Sequence, residues 1–99
     1  MFGRDLYSAD AVSHEPKASP AFAKETKGLD AIIEKDHKFG EMVEKMHSIS
    51  VSDPIVAADV FACLMTIDAT MKGRRRTTMA AICVYETKDG KFVSEHFHI

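Results

Sequence analysis

Between Gly28 and about Val43, apolar residues recur at three- and four-residue steps: Leu29, Ile32, Ile33, Phe39, Met42 and Val43. That spacing lays them on one stripe and predicts a helix with the stripe buried. Lys35 and Lys38 are expected on its wet side, beside Glu34 and Glu41. Gly40 weakens the last turn by about 1 kcal/mol relative to Ala. From Met46 the period falls to two. Ile49 and Val51 alternate with Ser48, Ser50 and Ser52, the pattern of a half-buried strand. Asp53-Pro54 interrupts it, because Pro cannot donate to a central ladder. A turn is expected at 57–59, a long strand from Val60 to Met71, a turn at Lys72-Gly73-Arg74, and a return strand from Arg75 to Thr87. Lys88-Asp89-Gly90 is a hairpin signal, since Asp-Gly supplies positive φ, and Lys91 to His98 forms the last strand. Ahead of the helix, residues 5–11 read as a helix end with Leu6, Tyr7 and Val12 as apolar contacts. Residues 13–27 read as a loop with a short turn at 21–23, because Pro16 and Pro20 disfavour helix before them. Helix first, then an antiparallel meander of about four strands, is an α+β order.

The hairpins also predict register. Symmetry about Gly73 sets Phe61 opposite Tyr85, Cys63 opposite Cys83, Met65 opposite Ala81 and Ile67 opposite Met79. A three-residue loop centred on Asp89 sets Tyr85 opposite Val93, Cys83 opposite Glu95 and Ala81 opposite Phe97. Both hairpins then agree on one face of odd-numbered residues, an agreement that a one-residue slip would break. Glu95 is the charged residue of that face, in one cross-strand row with Cys63 and Cys83. The other face carries Leu64, Ile82, Val84 and Phe92 with Ser94, His96 and His98. Both faces are too apolar to be left wet, and one helix covers only one of them. A symmetric homodimer through Leu64, Ile82, Val84 and Phe92 is the expected cover for the second.

Composition narrows the function. The 99 residues fit one domain over 1–99, 45% hydrophobic and 28% charged, which reads as globular. Thirteen Lys and Arg against fifteen Asp and Glu, net charge -2, argue against a general nucleic-acid binder. No apolar run approaches the roughly 20 residues of a membrane span, and the N-terminus develops no secretion signal. Two Cys do not make a disulfide framework, so free thiols in the cytoplasm are expected. No phosphate-binding glycine loop or metal-ligand set is recognisable, so neither a cofactor nor a metal is implied.

LYSADAVSHEP (Leu6 to Pro16), KGLDAII (Lys27 to Ile33), SVSDPIVAADVFA and VYETKDGKFVSEHF, in that order and spacing, resemble SnoaL-like proteins of the nuclear transport factor two-like superfamily. The resemblance covers nearly the whole chain. It implies a cone-shaped, cystatin-like α+β fold in which a curved antiparallel sheet wraps a long helix and encloses a pocket, usually in a dimer. Relatives include polyketide cyclases, ketosteroid isomerase, limonene epoxide hydrolase and scytalone dehydratase, alongside members with no known catalysis, so fold alone does not give function. The resemblance also implies a polar residue at the pocket mouth at the His14 position, and inward-facing positions at Glu95 and Phe97, where cyclases carry acid/base groups. There are two departures. Only Met1 to Asp5 precede Leu6, where the family opens with a capping helix, so a truncated frame or an unusually open pocket is expected. Ala80 and Ala81 stand where many members carry acids.

Among the candidate residues, Glu95 is either a desolvated acid/base group among Phe97, Met65 and Tyr85, or one half of a pair with Lys or Arg. His14 either shares a proton with Glu95 and orients a ligand carbonyl, or bonds local backbone in a Ser-His-Glu-Pro turn. Tyr85 either donates to an oxyanion or packs. Phe61, Cys63, Met65, Met79, Cys83 and Phe97 are the expected ligand-binding wall. Cys63 and Cys83 could pair as a cross-strand disulfide or serve as small apolar groups. His96 and His98 could serve a metal or the dimer face, and Arg74 to Arg76 make a solvated turn. The resulting expectation is a protein that binds a small apolar molecule. The alternative is a metal-independent isomerase, cyclase or dehydratase with Glu95 as general acid/base.

Overall fold

The computed structural model of the chain describes residues 4–19 and 22–98. A 3₁₀ turn at Arg4–Leu6 leads into β1 (Tyr7–His14), then β2 (Glu25–Lys27), α1 (Leu29–Met42), β3 (Val43–Val51), β4 (Ile55–Ala57), β5 (Val60–Met71), β6 (Arg76–Lys88) and β7 (Lys91–His98). The strands form one curved, unclosed sheet in the order β2-β1-β7-β6-β5-β3, with β4 also on β5. It is the nuclear transport factor two-like, cystatin-like α+β fold.

The helix, the long hairpin and the final strand lie where the periodicities put them. Gly28 takes φ 91° at the turn into α1, a region that favours glycine, and its N–H donates to the Ala11 carbonyl at 2.8 Å. Ile32 is the buried residue of α1, and Leu29 packs against the core from the same stripe. The helix runs through Gly40 to Met42, and Val43 turns directly into β3.

Three expectations are corrected. First, the segment around Tyr7 is a strand and not a helix end, and the sheet is mixed, because β1 runs parallel to β7. Tyr7, Ala11 and Ser13 are buried, but a register irregularity between Tyr7 and Val12 breaks the alternation that would have marked a strand. The segment after Pro16 contains β2 as well as loop, and the expected turn at 21–23 falls partly outside the described residues. Second, Ile49 and Val51 of β3 are exposed, at 54% and 58%.

Third, the last hairpin is shifted. The first hairpin has the predicted pairs throughout: Phe61 with Tyr85, Cys63 with Cys83, Met65 with Ala81 and Ile67 with Met79. The second turns on Asp89 and Gly90 alone, with φ 54° and 77°, a two-residue turn of the kind whose twist suits a hairpin. Its register then breaks between Glu86 and Thr87, where Val93 is the extra residue, so Glu86 pairs with Ser94 and Thr87 with Phe92. Tyr85 therefore faces Glu95, and Cys83 faces Phe97. The displacement is one full pleat period, so Glu95 and Phe97 keep the inward face assigned to them. Phe92, on the near side of the bulge, does not keep the outer face assigned to it. It is 9% exposed in the core, on the inner face, and not on the outer face with Leu64 and Ile82.

Candidate functional site

Inward-facing residues of β1, β5, β6 and β7 meet α1 over an aromatic floor. Phe61 stacks on Tyr85 at 5.0 Å between centroids, Phe92 lies 5.3 Å from Tyr85, and Tyr7 meets Phe92 edge-on at 5.3 Å. Glu95, 2% exposed, is set among these rings. Tyr7 donates its O–H to Glu95 Oε2 at 2.8 Å, and Ser13 is the cross-strand neighbour of Glu95 between β1 and β7. Ser13 Oγ in turn accepts from Lys35 Nζ, which also pairs with Glu15 Oε1 at 3.3 Å. Ser13 thus stands beside the buried carboxyl and is hydrogen-bonded to Lys35.

Beside this chain, α1 and the sheet enclose a half-open cleft of about 160 Å³. Phe39, Lys35 and Asp36 contribute the helix side. Met65, Ile67, Met79, Ala80, Ala81 and Phe97 form the sheet side, and Glu15 and Phe22 close one end. The walls are largely apolar. The Lys35 side chain is only 9% exposed, with Nζ 5.3 Å from the Phe97 ring centroid, a cation–π contact. This corrects the placement of Lys35 on the wet side of the helix. It stands three residues after Ile32 and four before Phe39, on the buried stripe itself.

Burial raises the Glu95 carboxyl above its ordinary range, against the opposing pull of the Tyr7 and Ser13 hydrogen bonds and of the Lys35 charge. Tyr7 and Tyr85 are pushed up, each chiefly by burial, so both phenols stay protonated donors. Burial, with Cys63 alongside, pushes the Cys83 thiol up to about 11, which leaves it unreactive near neutrality.

Of the residues singled out in the sequence, Met65, Met79 and Phe97 line the cleft. Phe61, Cys63, Cys83 and Tyr85 lie behind it in the floor, where the Tyr85 hydroxyl is hydrogen-bonded to the Cys83 thiol. The two cysteines are free and directly opposed across β5 and β6. His14 is corrected. Ser13 and Glu95 are partners on the inner face, so His14, the next residue, points away and stacks on His96 at 4.2 Å. It does not reach Glu95. Among the described residues no ion pair joins Glu95 to a Lys or Arg, although the Lys35 charge acts on it. Tyr7, Ser13, Lys35 and Glu15 were not recognised in the sequence. Only Lys35 left a signal, a charged residue inside an apolar helical stripe. Among the described residues no group of three or more His, Cys, Asp or Glu is arranged to hold a metal ion, and no helix is long and apolar enough to cross a membrane.

The profile of the SnoaL-like domain family matches residues 2–99. Among solved structures, the chain is similar to a candidate SnoaL-like polyketide cyclase from Mesorhizobium loti, at 30% identity and a TM-score of 0.87, over 97% of this chain and 81% of that one. A candidate isomerase from Bacillus subtilis superposes with a TM-score of 0.81 at 20% identity, over 96% of this chain and 70% of that one. The protein Bal32a, from a soil-derived mobile gene cassette, gives 0.83 at 21%, over 95% and 71%. The last two likenesses bear on fold alone. No curated protein matches the chain. With residues 2–99 matched by its profile and its curved sheet shared, the chain belongs to the SnoaL-like domain family.

Proposed function

We propose that the cleft between α1 and the sheet binds a small, largely apolar molecule, with Lys35 as its polar contact. The observation that carries this reading is a nearly buried ammonium, with Glu15 and Asp36 near it, in a wall built mainly from Phe39, Met65, Met79 and Phe97. Pockets of this kind take orientation from a few polar groups and affinity from apolar walls. The likeness to a candidate polyketide cyclase supports a ligand of the polyketide class. A thermal-shift series with small hydrophobic ketones and lactones tests it. Binding to the native state raises the transition temperature with ligand concentration, and Ala81→Trp, which fills the cleft, abolishes the rise. No shift with any member of the series contradicts the reading.

A second reading, a metal-independent isomerase, cyclase or dehydratase, is favoured by one specific observation. Glu95 is a desolvated carboxyl with raised proton affinity, set beside Ser13, whose hydroxyl accepts from Lys35 of the cleft wall. Functional sites are where such shifts gather.

The outer sheet face supports a homodimer. Leu64 and Ile82 are directly opposed across β5 and β6 and stand 47% and 51% exposed, with half-buried Val84 beside them. A second copy of the same face would cover them. Two buried free thiols fit a reducing compartment such as the cytoplasm.

A further inference from the structure

Cys63 and Cys83 are free and buried, and neither forms part of the cleft wall. They face each other directly in the β5–β6 ladder, on the inner face. Leu64, the next residue of β5, donates its backbone N–H to Ser52 Oγ at 2.8 Å and accepts the Ser52 N–H at 2.9 Å, on the side away from β6. Backbone groups alternate along a strand, so those of Cys63 point at β6. Cys63 and Cys83 are therefore a hydrogen-bonded pair, for which the Cα separation is about 5.5 Å. That lies inside the range of about 4.4–6.8 Å over which a disulfide bridges two residues. Side chains of such a pair stand further apart than those of the non-hydrogen-bonded kind, so a bond between them closes with its geometry pulled from ideal. Bonds of that sort are the readily reduced ones.

We propose that Cys63 and Cys83 are a thiol–disulfide switch beneath the cleft, closed by a hydroperoxide and reopened by a thiol such as glutathione. The two sulfurs differ in reach. Cys63 is 9% exposed and Cys83 is 0% exposed, so a small oxidant meets Cys63 first. The Cys63 sulfur, as its thiolate, attacks a peroxide oxygen. The O–O bond breaks, Cys63 becomes the sulfenic acid, and the other oxygen leaves protonated as water or an alcohol. Cys83 then attacks the Cys63 sulfur. The S–S bond forms, the S–O bond breaks, and the hydroxide leaves as water with the proton that Cys83 gives up. Two thiols have together passed two electrons and two protons to one peroxide. Reduced glutathione reverses the step, as two of its thiols become one disulfide and both cysteines regain their hydrogens. The pair sits one inner-face row from Met65 and Ala81, which line the cleft, and Cys83 also faces Phe97 of the same wall. Drawing β5 and β6 together at that row moves the wall. The switch stands on register and burial, and needs no ligand in the cleft.

The test treats the full native chain with hydrogen peroxide, then unfolds it with a maleimide present so that every remaining thiol is capped. Intact mass reads the result. The parent is expected to lose the mass of two hydrogens, to remain a single chain and to take up no maleimide. Reduced glutathione, added before unfolding, should restore both capped sites. Cys83→Ala has nothing to resolve its sulfenic acid, and should go on to the sulfinic acid at Cys63. Cys63→Ala keeps only the fully buried thiol, and should oxidise about tenfold or more slowly than the parent. Oxidation of the parent should also shift the Met65 methyl resonance, in the row beside the new bond, and leave that of Met46 on β3 in place. Maleimide uptake by the peroxide-treated parent, or a link between two chains, overturns the switch. So does a bond that glutathione fails to open, oxidation of Cys63→Ala at the parent rate, or an unmoved Met65 methyl.

Discussion

Tyr7 and Glu95, 88 residues apart in the sequence, share a buried hydrogen bond of 2.8 Å between the first and last strands of the sheet. The bond exists because β1 runs parallel to β7 and brings the start of the chain against its end. It also ties Glu95 into the fold, so the carboxyl has a structural environment that can be read through stability.

Glu95→Gln should stabilise the protein near neutral pH. The folded-state proton affinity of Glu95 is raised above its ordinary value of 4.5, so the fold binds a proton that the unfolded chain has released. The contribution of Glu95 is therefore fully present below about 4.5, and is lost as pH rises through the raised folded value. Gln copies the neutral acid and escapes that loss, by about 1.4 kcal/mol for each unit of displacement. Urea unfolding of both proteins between pH 4 and pH 8 checks this. A destabilised variant at neutral pH would show instead that the charged carboxylate is a structural partner.

Tyr7→Phe keeps the ring against Phe92 and removes the donor to Glu95. The variant should lose about 1–3 kcal/mol, the cost of an unsatisfied buried acceptor. Without the Tyr7 hydrogen bond, which lowers the Glu95 value, the window in which Glu95 loses stability moves to higher pH. Denaturant curves at several pH values measure both effects.

Phe92→Ala distinguishes the two possible faces of β7. In the core, against Tyr7, Phe61 and Tyr85, the truncation should cost about 3–5 kcal/mol. On an exposed face it would cost about 0.5 kcal/mol or less. Equilibrium unfolding separates these values, and a small loss would contradict the bulge at Val93.

Leu64→Lys places a charge at the centre of the outer apolar face and should turn a dimer into a monomer. Light scattering over a range of concentrations reads the result. An unchanged dimer would move the interface to another surface.

Most of the fold was legible in the sequence, because its strongest signals are local. The stripe Leu29, Ile32, Phe39 marks α1, and the symmetry about Gly73 fixes the β5–β6 register pair by pair. Asp89-Gly90 marked the last turn, but the bulge at Val93 did not show, since an extra residue leaves the alternation of Glu95 and Phe97 intact. It was Phe92, on the near side of the bulge, that changed face. β1 was hidden for a related reason: the break between Tyr7 and Val12 erases the period-two pattern of a short strand. The site was less legible, because it is assembled from contacts distant in sequence. Glu95 could be identified as a lone charge on an apolar face. Its partners Tyr7 and Ser13 come from a parallel pairing that no hairpin signal announces. His14, next to Ser13, was assigned inward, one residue out of phase.

Methionine methyl NMR reads whether the cleft between α1 and the sheet holds a ligand. Met65 and Met79 line the cleft, whereas Met46 stands 42% exposed on β3, away from it. On titration with 2-tetralone, a flat apolar ketone, the Met65 and Met79 methyls should shift saturably while the Met46 methyl stays stationary. Stationary Met65 and Met79 methyls, or shifts centred on Met46, would contradict the cleft as a ligand site.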